Sequence, residues 1–221
     1  MSVDAMFFVL WVCGRGSHIA IVMFVLGVLL RLGGVLMRGR KSELSPPRDQ
    51  RTGSGWRTVV TRSAPTPGMF KHSPVTYIGG YVFNLGLFLI VFFYVPHIAF
   101  IDSLIGFGWP GLPSTLIDAV TVATFVALVA VLINRLNDPV KRFLSTVEDY
   151  ITWLVTVLPV VTGYMAYHHL APDYTSMLAL HILSIELLLV VLPFTKLMHA
   201  FTFALGRWYT GEMHGRKGVA S

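Results

Sequence analysis

Histidines set in apolar sequence are the residues of this chain best able to do chemistry. His181 and His199 lie eighteen positions apart in LALHILSIELLLVVLPFTKLMHAF. An imidazole inside a bilayer is costly without a partner, which makes each a functional candidate from the outset. On one continuous helix, rising about 1.5 Å per residue, the two rings stand roughly 27 Å apart. Eighteen steps of about 100° close a whole number of turns, so both face one side. That spacing suits two b-type haems stacked through a membrane and is poor geometry for a single metal ion. His97, in FFYVPHIAF near the end of an earlier apolar run, matches His181 in depth. Ligation of one iron by histidines from two helices requires such a match. For His199 the same run offers Asn84, in YVFNLGLF, or His72 at the membrane edge. A purely structural histidine, satisfied by a hydrogen bond, is the competing reading at every one of these positions.

Other polar residues in or near the apolar runs divide by depth. Arg31 and Lys196 are candidates to pair with haem propionates, and snorkelling to the interface explains them equally well. Glu186 follows His181 by five positions, about 140° round the helix, so it is expected to face away from the haem side. An acid at that depth should meet another helix or a wet cavity. His18, His168, His169 and His214 read as solvated interface or tail residues. His168 and His169, with Asp173, are also candidates for a proton or quinone site.

The elements that must position these residues are membrane spans. The chain has 221 residues, of which 54% are hydrophobic and 13% charged, and its mean hydropathy is +0.67. That composition is an integral membrane protein rather than a soluble domain. Five all-α transmembrane helices are expected, over 19–37, 75–100, 116–132, 151–166 and 177–205, the first starting either there or, with a kink at Gly14–Gly16, near Phe7. They form one domain over residues 1–221, with a polar loop at 38–74 that either docks a partner or is floppy. Net charge is +6, yet the Lys and Arg residues fall in loops and no nucleic-acid motif accompanies them. They cluster in 38–71, in 135–142 and in the C-terminal tail, whereas 101–114 and 167–176 hold none. The positive-inside rule then places the N-terminus outside and the C-terminus in the cytoplasm, with only Arg15 against it. MFFVLWVC lacks a leading positive charge and is not expected to be a cleavable signal peptide. The single cysteine, Cys13, excludes an internal disulfide and a cysteine-ligated iron–sulfur cluster within this chain.

With those residues in place, the chain resembles the gamma-subunit family of respiratory nitrate reductases. It is similar, too, to the membrane cytochrome b subunits of sulfite-reductase-associated and heterodisulfide-reductase-type complexes. The most specific stretch is His181, eleven intervening residues, then PFTKLMH, in which Pro193, Phe194, Lys196 and His199 match the family's pattern. HIAIVMFVLGVLLR, ending at Arg31, resembles the family's first helix, and RLNDPVKR (residues 135–142) its basic turn. The resemblance covers most of the chain outside 38–70.

It implies two haems b, each held by one histidine of the second helix and one of the fifth. His97 with His181 carries over as the outer pair, three residues farther along than the family pattern. The inner pair departs from it: Phe83-Asn84-Leu85-Gly86 stands where the family has Phe-His-Ile-Gly. Three arrangements remain open there: a haem on His199 alone or with Asn84, a haem on His199 with His72, or no inner haem.

The implied function is a haem b membrane anchor of a respiratory oxidoreductase in a bacterial or archaeal cytoplasmic membrane. It would pass electrons between the quinone pool and a cytoplasmic iron–sulfur partner, with substrate reduction on catalytic subunits. A haem-free anchor or assembly subunit is the rival reading. A transporter fits less well, because internal symmetry and several midplane charges are missing.

Overall fold

A computed structural model describes residues 9, 11–38, 46, 48, 55–170 and 173–219. Among them no strand occurs; every regular element is helical. Five helices are long and apolar enough to cross a bilayer, and the protein is a multi-pass membrane protein. The expected start of the first span at Phe7 lies outside the described residues. A π-turn at Val12–Gly16 runs straight into α1, Ser17–Met37, where a kink was expected.

The 38–74 segment is not wholly loop. It contains α2, Gly55–Thr61, and α3, Pro67–His72. Residues 39–45, 47 and 49–54 of it lie outside the described set. The second span is α4, Pro74–Phe93, followed by a break and by α5, Val95–Ile105. The third is α6, Ser114–Asn137, joined by the short α7, Pro139–Leu144, to the fourth, α8, Val147–Tyr167. The fifth is α9, Tyr174–Val191; after two 3₁₀ turns the chain continues as α10, His199–Arg216.

Two expected helices are therefore broken, both near a proline. Pro96 lacks the N–H that would bond the Phe92 carbonyl four residues back, so α4 ends and Tyr94 turns extended (φ −81°, ψ 124°). At Pro193 the chain stays helical: α9 tightens into a 3₁₀ turn, Leu192–Phe194, and the span ends after it at Thr195, which is fully extended (φ −119°, ψ −179°). His199 thus opens a separate helix. The single continuous helix from which the shared face and 27 Å spacing of His181 and His199 were expected is therefore broken.

Local sequence sets the other boundaries. Asp138 caps α7 through Val140 N (3.0 Å) and Lys141 N (3.1 Å). Thr146 and Asp149 form a capping box at the start of α8, and Asp173 caps α9 through Thr175 N and Ser176 N. At the Lys196 end of the bundle, Asp149 (side chain 10% exposed) binds Lys196 Nζ at 2.9 Å and Arg135 at 3.5 Å. The Lys196 amide donates to Glu148 Oε1 at 2.9 Å. These contacts pin the turn after α9 to the start of α8.

Small residues let the spans approach. Gly79 and Gly86, seven apart and both buried, face α6. A β-carbon at Gly79 would lie 2.6 Å from Val131 Cγ2, and one at Gly86 would collide with Thr124 Oγ1. Likewise Gly27 of α1 meets Pro193, and Gly55 and Gly211 join α2 to α10. Leu128, Val157 and Val160 form the buried core between α6 and α8, where Trp153 Nε1 donates to the Leu128 carbonyl at 2.9 Å. Gly86→Ala should cost about 1–3 kcal/mol by overpacking, read as a lowered Tm in detergent. Adding Thr124→Ala should recover part of the loss; an unaltered Tm for the single variant would mean that α4 and α6 are not in this contact.

Candidate functional site

The proline break at Tyr94 frees the last carbonyls of α4, and three donors take them up. Trp109 Nε1 donates to the Phe92 carbonyl (2.6 Å), the Leu112 amide to Phe93 (2.9 Å), and His97 Nδ1 to Ile90 (2.8 Å). Freed backbone groups at membrane depth need such partners. The loop between α5 and α6 can fold back onto the break because Gly106 takes a left-handed conformation (φ 71°). A β-carbon at Gly111 would stand 3.1 Å from the Phe93 carbonyl. The His97 ring is therefore held by the backbone of the helix that precedes it.

His181 is held from α8. Its Nδ1 lies 3.2 Å from Thr162 Oγ1. That hydroxyl spends its own hydrogen on the Leu158 carbonyl, 2.7 Å away, so its oxygen accepts from His181 Nδ1–H. Ser184 Oγ donates to the His181 carbonyl at 2.7 Å. Gly163 leaves the space the ring occupies: a β-carbon there would lie 2.8 Å from Cε1. With Nδ1 engaged on both imidazoles, Nε2 is the atom left to bind a ligand, the arrangement usual for metal-bound histidine.

The two rings come together. Their centroids are 6.2 Å apart and their planes differ by 18°. Two imidazoles on either side of one iron, each nitrogen about 2 Å from the metal, put ring centres roughly 6 Å apart. Both line a cavity of about 540 Å³, bounded also by Ser17 of α1, Asp118 of α6 and Tyr174 of α9. Its size lies within the roughly 300–1,000 Å³ of small-molecule and cofactor sites. Among the described residues no cluster of three or more His, Cys, Asp or Glu side chains is assembled for a bare metal ion.

The remaining sequence candidates lie elsewhere. His199 is exposed, its Nδ1 donating to the Lys196 carbonyl at 2.6 Å. Asn84 is exposed and bonds the Gly80 carbonyl of its own helix (2.7 Å). His72 and Arg31 are exposed too. None of these lines the cavity, and neither does Lys196, which is bound to Asp149. The propionate partners expected at Arg31 and Lys196 are thus not at this site. Asp173 caps α9, while His168 pairs with Asp118 Oδ1 at 2.8 Å. Glu186, expected to face away from the ligating histidine, instead lines the same cavity; it is buried (8% exposed) and hydrogen-bonded to Ser17 Oγ at 2.9 Å.

Sequence reasoning passed over Thr162, Gly163, Trp109 and Asp118. The adjacent Thr162 and Gly163, one polar and one without a side chain, were the available signal for a ring packed against α8. The link of Asp118 to His168 spans fifty positions and left none.

No family model and no solved structure matches the chain. A curated protein of Nitratidesulfovibrio vulgaris strain Hildenborough, described only as "Protein", is 32% identical over 142 residues. The match covers 64% of this chain and 62% of that one, so the chain spans less than two thirds of its relative's length.

Gly163→Val places a branched side chain where His181 sits. It should abolish any ligand bound through that ring while leaving helix content unaltered, checked by absorption and circular dichroism. Retention of the bound chromophore would show that His181 is not a ligand.

Proposed function

We propose that this chain is a haem b membrane anchor, with iron held between His97 and His181, that serves electron transfer with the quinone pool. The observation that carries the reading is the near-parallel pair of imidazoles 6.2 Å apart, each fixed through Nδ1, on the wall of one cavity. A haem held by His97 and His181 would supply one-electron chemistry, and two imidazole ligands would favour electron transfer over oxygen binding.

The protein's own contribution is positional. Ile90 and Thr162 hold the Nδ1 atoms, and Gly163 admits the His181 ring. Electron exchange with an iron–sulfur partner and substrate reduction on catalytic subunits are proposed from the sequence resemblance alone. So are the cytoplasmic placing of the Lys196 end and the bacterial or archaeal cytoplasmic membrane. The proposal carries one haem: His199, His72 and Asn84 are exposed and do not line this cavity.

Protein purified in mild detergent and reduced with dithionite should show a b-type α-band, with about one haem per polypeptide. His97→Ala and His181→Ala should each remove it, and His199→Ala and His72→Ala should leave it in place. A wild-type protein without any tetrapyrrole band would leave the haem-free anchor as the surviving reading. Two haems per polypeptide would overturn the single-site form of the proposal.

A further inference from the structure

Among the described residues, Glu186 is the only acidic or basic side chain that is buried. It stands twelve residues into α9, about 18 Å from the helix start, and so at apolar depth. No Lys or Arg lines the cavity it faces. A carboxyl held there without a cation is costly, which makes a functional role the first expectation.

Its hydrogen-bond partner is Ser17, where the π-turn runs into α1. Gly16 brings the backbone against both carboxyl oxygens: a β-carbon at that position would lie 3.1 Å from each. Ser17 Oγ is within reach of two oxygens, Glu186 Oε1 at 2.9 Å and the Val12 carbonyl at 3.0 Å. A hydroxyl has one hydrogen to give, and a carbonyl oxygen can only accept. With that hydrogen on Oε1, Glu186 is a carboxylate. With it on Val12, the Ser17 oxygen accepts, and the 2.9 Å contact is made by a protonated Glu186 donating. The π-turn supports both arrangements, because the Val12 carbonyl takes the Ser17 amide five residues on in either case. Either charge state is therefore hydrogen-bonded on one unaltered backbone.

The other ionisable groups on the cavity wall are His97, His181, four tyrosines and Asp118, which is bound to His168. From the side of α1, Arg15 and His18 are exposed, and His18 Nδ1 is bonded to the Gly14 carbonyl. Glu186 follows His181 by five residues, about 7.5 Å along the helix axis. At that range a change of charge between His97 and His181 is felt strongly, since apolar surroundings screen little.

We propose that Glu186 is a redox-linked proton acceptor, ionised while iron held between His97 and His181 is ferric and protonated once that iron is ferrous. The reductant supplies one electron and water supplies one proton. An O–H bond forms on Glu186, and Ser17 turns its own hydrogen to Val12. The inference rests on the haem reading above.

The test uses a lipid-soluble carbodiimide, which reacts with protonated carboxyls. Purified wild type and Glu186→Gln are labelled in the oxidised and the dithionite-reduced state, and adducts are mapped by mass spectrometry. The midpoint potential is measured against pH by optical titration. In the wild type, Glu186 should label at least about ten-fold faster when reduced. Its midpoint should fall as pH rises, with about one proton taken up per electron. Glu186→Gln should lose both effects. Should that variant fail to fold, Ser17→Ala removes the donor to the carboxylate, so the proton stays in both states and labelling becomes equally fast in each. Equal labelling of the two wild-type states, or an unaltered pH slope in Glu186→Gln, would overturn the proposal, while a retained α-band spares the haem reading. Absence of haem from the wild type would remove that reading and this one with it.

Discussion

The hydrogen bond from His97 Nδ1 to the Ile90 carbonyl is the contact on which the site depends. A carbonyl in the last turn of a buried helix has no onward backbone donor once Pro96 has ended the ladder. Leaving it unpaired in lipid is expensive, and an imidazole N–H seven residues later satisfies it. One interaction therefore closes a helix end and selects which ring nitrogen is free. Trp109 and Leu112 complete the repair at Phe92 and Phe93. The break is thus a fixed corner that turns His97 towards the bundle axis and towards α9.

The opposite ligand position is built by different means. His181 sits mid-helix, so no freed carbonyl is available from its own backbone. α8 supplies both the acceptor, Thr162, and the space, Gly163, from adjacent residues. Consecutive positions lie about 100° apart on a helix; only a ring lodged against that helix can use both. Pro159 lies within one turn of them.

Five spans were legible in the sequence because each is an apolar run of membrane length, and hydropathy depends on composition rather than on partners. The depth match of His97 and His181 was legible too, since axial rise converts position into height. The continuity of the second and fifth spans was not. Pro96 and Pro193 lie in unbroken apolar stretches, and a proline in a membrane helix either kinks it or starts a new one. Which of these happens depends on whether groups distant in sequence, here Trp109 and Glu148, satisfy the freed backbone. The same non-local contacts account for the misplaced expectations. For Lys196 the sequence offers a propionate or snorkelling, because its neighbour Asp149 lies forty-seven positions away. Glu186 was turned from the site by helix angle alone, although the cavity extends far enough round α9 to include it.

The clamp on Asp149 joins distant parts of the chain. Through Lys196 it ties the turn leading into α10 to the first turn of α8, and α10 is itself locked to α2 by Gly55, Gly211 and Glu212. α8 runs from that clamp to Thr162 and Gly163, against the His181 ring. The residue that holds the turn leading into α10 and the wall beside the His181 ring are therefore parts of one helix.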